Sequence, residues 1–423
     1  MKAVSLVYSA FVPHPPIVVP EIGRGQEEIC GSTLEAYREV AARVAQAKPE
    51  TVILVSPHAP LLEEGISVLV NGEVRGSFAD FGVPDLSLAF PNDGRLVESL
   101  SRGLPRVLRR QGELDHGALV PLYFLERAGW RGKVVLLSMP WREPERYGAE
   151  IGRILRAGTE KTALVASGDL SHRLREEGPY GFDPTGPQFD QAIVSGLKGN
   201  PAQIGQIPAE TVEQAGECGY RSLRLALAAQ EGMREVLSYE GPFGVGYLVA
   251  ELYHSSPLPR WARLCLTEYV KGGDPTALPE PEEAEFQQRR GCFVTLKKDG
   301  ELRGCIGTTQ PYRQNLASEI LYNALAAGTE DPRFWPVKKE EVAELTFSVD
   351  VLGELEKVTG LGQLDPWHYG IVVSRGGRTG LLLPHLEGVD TVEDQLRIAK
   401  QKAGISPESP VEMWRFEVVR HFE

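Results

Sequence analysis

None of the cysteines in this chain has a partner within the sequence. The five (Cys30, Cys218, Cys265, Cys292 and Cys305) are odd in number and scattered, with no C-x-x-C pair among them. That excludes a disulfide framework and a structural zinc finger, and it fits reduced thiols in a cytoplasm. Positive charge is also in short supply. Lys and Arg number 45 against 58 Asp and Glu, a formal net charge of −13, so no general basic field exists to attract nucleic acid or an anionic membrane. No apolar run approaches the roughly 18 residues that cross a bilayer. The opening "MKAVSLVYSAFVPHPP" places a lysine before an apolar run. It lacks a small-residue cleavage site, and prolines interrupt the run early, so it reads as the first strand of a cytoplasmic protein. Low-complexity tracts and repeats of solenoid period are missing too.

What is present is 423 residues of ordinary globular composition, 42% hydrophobic and 24% charged, a length that suits two domains. Through residue 254, short apolar runs alternate with helical patterns. Runs at 3–12, 51–56 ("TVILVS"), 133–139, 162–167 ("TALVAS") and 244–253 predict strands, and 30–47 and 219–231 carry apolar residues at helical spacing. This alternation predicts an α/β domain around a sheet whose central strands are buried on both faces. The proline-rich "HSSPLPRW" (254–261) breaks the pattern, and "WARLCLTEYV" follows as one helix. Beyond it, "GCFVTLKKDGELRGCIG" (291–307) predicts a hairpin through Asp299-Gly300 and "GIVVSRGGRTGLLLP" another through Arg375–Arg378. Two helices closed by glycine complete an α+β domain. The boundary falls near Ser255–Leu258, giving domains 1–254 and 258–423.

Five of the eight histidines lie in the first domain. His14 and His58 each fall one to three residues past an apolar run, in "FVPHPP" and "SPHAP", and Asp169 and His172 do the same in "SGDLSH". In open α/β sheets the ligand crevice lies just beyond the carboxyl ends of the strands. Prolines around His14 and beside His58 restrict the backbone and hold each imidazole in one direction, as a metal ligand requires. A lone histidine at a strand tip is more often a hydrogen-bonded loop residue, and spacing alone leaves both readings open.

"PHPP", "SPHAP", "DHGALVPLYFL" (115–125), "SGDLSH" and "AGECGYRS" (215–222), in that order, resemble the class III extradiol dioxygenase family (LigB-like) and its relatives of the Memo type, across most of residues 1–254. The resemblance implies a metal-dependent oxidoreductase with a mononuclear non-haem Fe(II), acting with O2 on a catechol-like small molecule. It implies His14 and His58 as metal ligands, His172 as the acid/base and His116 as a histidine that either supports the ligands from behind or orients the substrate. The third ligand is either Glu217 or Cys218. A carboxylate preserves the iron site, whereas a thiolate matches the Memo pattern and shifts preference towards copper or zinc. On that alternative the chain is an accessory metal-binding protein working with a radical SAM partner in macromolecule modification. A homo-oligomer is compatible with either reading.

"GCFVTLKKDGELRGCIGT", "DPRFWPV" (331–337) and "GGRTGLLLPHLEGVDTVEDQL" are similar to the AMMECR domain family across about 258–423. That resemblance implies a fold and no particular reaction. Within "LRGCIG", Arg303 and Cys305 share one face of a strand and Gly304 permits close backbone approach. Arg303 suits either an anion or an ion pair, and Cys305 either a nucleophile or a core position. Asp331 and His385 are candidates to line the same surface.

Overall fold

The computed structural model describes residues 6–178, 180–232, 234–298, 300–384, 386, 388–389 and 391–422. Residues 3–5 of the first apolar run, Asp299 of the expected hairpin turn, and His385 lie outside the described residues. The chain divides into two compact units, Met1–Ser255 and Ser256–Glu423.

In the first unit β1 (Leu6–Val12) leads to a single turn, α1 (Pro20–Gly23), and to α2 (Gly31–Ala47). Strands β2 (Thr51–Ser56) and β3 (Ile66–Leu69) precede a separate hairpin of β4 (Glu73–Phe78) and β5 (Val83–Pro91). The alternation resumes with α3 (Gly94–Gly103), β6 (Val107–Arg110), α4 (His116–Arg127), β7 (Lys133–Ser138), α5 (Pro144–Ala157) and β8 (Thr162–Ser167). Helices α6 (Thr185–Lys198), α7 (Ala209–Ala215) and α8 (Tyr220–Ala229) then bring the chain to β9 (Glu235–Glu240) and β10 (Tyr247–His254). The eight-stranded sheet runs β6-β3-β7-β2-β8-β1-β10-β9. Its central members β7, β2, β8 and β1 are mutually parallel. Every residue of β1, β2 and β8 is buried, which is why these segments read as unbroken apolar runs. Helix α2 covers one face through Leu34, Tyr37, Val40, Ala41 and Val44, spaced three or four apart. Each large apolar side chain so removed from water contributes roughly 1.5–3 kcal/mol.

The second unit begins with α9 (Pro257–Val270) and the hairpin of β11 (Cys292–Lys298) and β12 (Glu301–Gly307). Helix α10 (Leu316–Thr329), β13 (Leu345–Leu352), β14 (Glu356–Val358), β15 (Tyr369–Arg375), β16 (Arg378–Leu382), α11 (Val392–Lys402) and β17 (Glu412–Phe422) follow. The sheet order is β12-β11-β13-β17-β15-β16, with β14 also on β17. Among the described residues α9 and α10 pack against β11 and β13, α11 packs against β15 and β16, and a smaller apolar cluster gathers Leu352, Val372 and Phe416. The expected α/β plus α+β architecture is therefore present. Helix α9 starts at Pro257, earlier than the run "WARLCLTEYV" implied. Proline is accommodated in a first turn, where its missing N–H is not needed, and Ser256 caps that turn by accepting from Leu258 N–H. Among the described residues no helix is long and apolar enough to cross a membrane.

Candidate metal centre

Strand β8 lies between β2 and β1, and all three run in the same direction. Val12 pairs with Ser167, and Val55 with Ala166, so the three carboxyl ends finish at one level. His14, His58 and the 169–172 turn leave the sheet side by side for that reason. The Pro13 carbonyl accepts a hydrogen bond from the Tyr37 hydroxyl, which anchors the proline loop to α2. His14 is 2% exposed. Its backbone N–H donates to Asp169 Oδ1 at 3.0 Å, and its ring Nδ1 lies 2.9 Å from Ser167 Oγ.

The other ring nitrogen faces the centre. His14 Nε2 lies 2.9 Å from His58 Nε2, 3.7 Å from Cys218 Sγ and 4.0 Å from Asp169 Oδ2. His116 enters at the N-terminus of α4, its ring centroid 4.0 Å from that of His58 and 5.4 Å from that of His14. Asp115 caps α4 and accepts from Ser56 Oγ at 2.5 Å, while Ser56 Oγ also receives His58 N–H at 3.2 Å. The tip of β2 and the start of α4 are thus fastened together. Cys218 arrives from the turn before α8, held by Cys218 and Gly219 N–H groups donating to Asp169 O. A Cβ on Gly168 would sit 2.1 Å from Gly219 Cα, so only paired glycines let these two turns touch.

Two sets of donors each have their ligand atoms within 4.8 Å of one another: His14, His58 and His116, and His14, Asp169 and Cys218. A family model described as "Catalytic LigB subunit of aromatic ring-opening dioxygenase" matches residues 8–250, and an AMMECR1 model matches 259–421. The chain belongs to the LigB family. The resemblance read from the sequence, a LigB-like unit fused to an AMMECR domain, is borne out. A protein of Clostridium acetobutylicum is 39% identical over 460 aligned residues, covering 97% of this chain and 98% of that one. A Thermotoga maritima protein is 51% identical over 169 residues, covering 39% of this chain and 97% of its own. Among solved structures, one from Pyrococcus horikoshii matches with a TM-score of 0.36 at 30% identity, over 38% of this chain and 88% of that one.

In the LigB unit, burial determines the protonation of the donors. It drives the His14 imidazole down to about 3, against the pull of Asp169. His58 and His116 are lowered by burial as well, so the three rings are neutral, as ligands must be. Burial pushes the Asp169 carboxyl up, but His14, His172 and the His14 N–H outweigh it and hold it below the ordinary carboxylate range. Burial, with Asp169 adjacent, lifts the Cys218 thiol well above its usual value. A bound metal ion would draw out its thiolate. The donor set fits an ion on geometry also. His14 Nε2 and His58 Nε2, 2.9 Å apart, are close enough for both to reach one ion.

Of the LigB residues singled out from sequence, His14, His58, His116 and Cys218 come together. His172 is at the rim, Nε2 3.8 Å from Asp169 Oδ2, with Tyr180 stacked on its ring. Glu217 is not brought to the cluster. Its carboxylate accepts from Tyr220 N–H at 2.6 Å at the start of α8 and lies 3.5 Å from Arg221. Asp169 is the carboxylate among the donors. Its position past β8, in the motif that carries His172, was the readable signal. Ser167 and the Ser56–Asp115 pair had no sequence signal beyond adjacency. In the AMMECR unit, Arg303 donates through Nε and Nη2 to Glu341 and through Nη2 to Trp335 O, and Cys305 is half-buried.

Proposed function

We propose that the N-terminal unit is a mononuclear iron-dependent oxidoreductase of the cytoplasm, working with dioxygen on a catechol-like or related small molecule. The observation that carries this reading is the approach of His14 Nε2 and His58 Nε2 to 2.9 Å from the tips of two different strands. Two neutral imidazoles, His14 buried and His58 exposed, share at most one N–H···N bond in such a contact, whereas a common ion takes a lone pair from each. Bound Fe(II) would supply open coordination positions and the electrons that dioxygen chemistry needs. His14 and His58 hold it, with Cys218 and Asp169 completing the set. His172, with Nε2 3.8 Å from Asp169 Oδ2, takes the proton from a substrate hydroxyl. His116, close to both imidazoles and edge-on to Phe81, orients the substrate ring.

The test is metal analysis of protein purified without added metal, then oxygen uptake after anaerobic loading with Fe(II). About one iron per chain and catechol-dependent uptake support the proposal. Stoichiometric iron without uptake on any aromatic diol rejects the oxidase reading.

A second reading is favoured by one observation, the thiol in the cluster where the carboxylate of Glu217 is absent. Thiolate suits copper(I) or zinc, and such a centre fits an accessory protein serving a radical SAM partner. Copper or zinc that is lost in Cys218→Ser, together with co-purification of a radical SAM protein, would select it.

A further inference from the structure

The donor cluster of the LigB unit is closed on one side and open on the other. His14 and Asp169 are buried, whereas His116 is half-buried and His58 exposed. A ligand therefore reaches the cluster past His58 and His116. The β4–β5 hairpin borders this side, and among the described residues it forms a two-stranded sheet of its own.

The sequence of the hairpin places it there. Val74 and Phe78 alternate with exposed residues on β4, and with Leu88 and Phe90 of β5 they sink into the core that holds Leu119 and Tyr123 of α4. Gly76 sets how close the hairpin comes. A Cβ there would lie 2.7 Å from Leu114 O, and Leu114 N–H donates to Arg75 O at 2.8 Å. β4 is thus laid flush on the chain that enters α4, two residues before His116.

The register then breaks. Ser77 pairs with Ser87 but Phe78 with Val83, so Pro84, Asp85 and Leu86 bulge from β5, and such a bulge re-aims the end of a hairpin. A single turn, Ala79–Phe81, closed by Gly82 at φ +78°, completes the tip. Phe81 comes to rest with its ring centroid 5.5 Å from that of His116 and 6.5 Å from that of Phe78. Phe78 is fully buried and meets Tyr123 edge-on, so Phe81 is backed by packed core and cannot retreat without disturbing it. Phe81 itself stays half-buried. An apolar ring there can neither ligate an ion nor pair with a hydroxyl, so its contribution to the site is shape.

We propose that Phe81 sets the size of the ligand admitted to the metal centre. Its ring is the wall beside His116 against which a single-ring aromatic diol fits, and it turns away fused-ring diols. This rests on the reading of the centre as one for catechol-like molecules.

The test measures binding rather than turnover. Full-length protein loaded with Fe(III) is titrated with catechol and with 2,3-dihydroxynaphthalene, which present the same pair of hydroxyls and differ by one fused ring. The catecholate-to-iron charge-transfer absorption gives a dissociation constant for each. Comparing the ratio of the two constants between variants cancels the intrinsic difference between the diols. Phe81→Ala should move that ratio in favour of the naphthalenediol by on the order of tenfold, and Phe81→Trp should move it the other way. Phe81→Leu keeps an apolar contact with Phe78 and should shift it as alanine does, by a smaller factor, which decides the matter if the alanine variant does not fold. Iron content should match the parent throughout, because Phe81 is not a ligand. Catechol bound by every variant with an unchanged ratio overturns the proposal and leaves the catechol reading standing. Iron bound with no charge-transfer band from either diol overturns both.

Discussion

The two ring nitrogens of His14 do different work. Nδ1 meets the fully buried Ser167 hydroxyl, and Nε2 points at His58, Cys218 and Asp169. Such an outer partner fixes both tautomer and ring direction, and losing one typically weakens metal binding by about 10–100-fold. Ser167→Ala should therefore loosen the ion by that factor in a chelator competition, while leaving its stoichiometry at saturation intact. Asp190 makes a different prediction. Burial pushes its carboxyl up to about 7, although the Tyr239 hydroxyl and Ser171 N–H both donate to it. The folded protein keeps this proton across a window in which the unfolded chain, at about 3.9, has lost it. The contribution to stability is thus full below the unfolded value and falls as pH rises towards 7. Asp190→Asn should match the parent near pH 4 and exceed it at pH 8 by a few kcal/mol, on the order of 3, in urea unfolding at the two pH values.

At the scale of elements, the glycine contact between the β8 turn and the turn before α8 brings Cys218 to the centre. Gly168→Ala should cost about 1–3 kcal/mol through overpacking, and it should also shift the thiol, seen as a change in the absorption of a bound cobalt or copper probe. A variant that loses stability while its thiolate band stays unchanged would refute the link. This part of the molecule also marks where the sequence could be read and where it could not. Strands β1, β2 and β8 were legible because burial on both faces leaves an unbroken apolar run, and the polar residues just past them were legible as a crevice. Which carboxylate turns inward was not. Asp169 and Glu217 both sit at element tips, and the outcome depends on whether a free N–H such as that of Tyr220 captures the side chain first. Strand β17 and the β4–β5 hairpin were also missed. β4 alternates exposed and buried residues but includes Gly76, and β17 is only half-buried for most of its length, so neither stands out as an apolar run.

The whole molecule consists of two units with separate apolar cores. Calorimetry should accordingly resolve two transitions, and a chelator should move only the one belonging to the LigB unit. Metal at a hundred times its dissociation constant adds about 2.7 kcal/mol, which for a unit of this size is a shift of about 5–10 °C. Equal displacement of both transitions would count against an ion confined to the first unit. The second unit carries its own safeguard. Strand β12 ends its sheet, the position where another chain can add on by main-chain pairing. Asp331 and Arg333 already occupy the outward N–H and C=O of Cys305. An incoming strand finds that rung of the ladder taken, so whatever docks on this border must recognise side chains, and self-association into fibres is discouraged there by two residues.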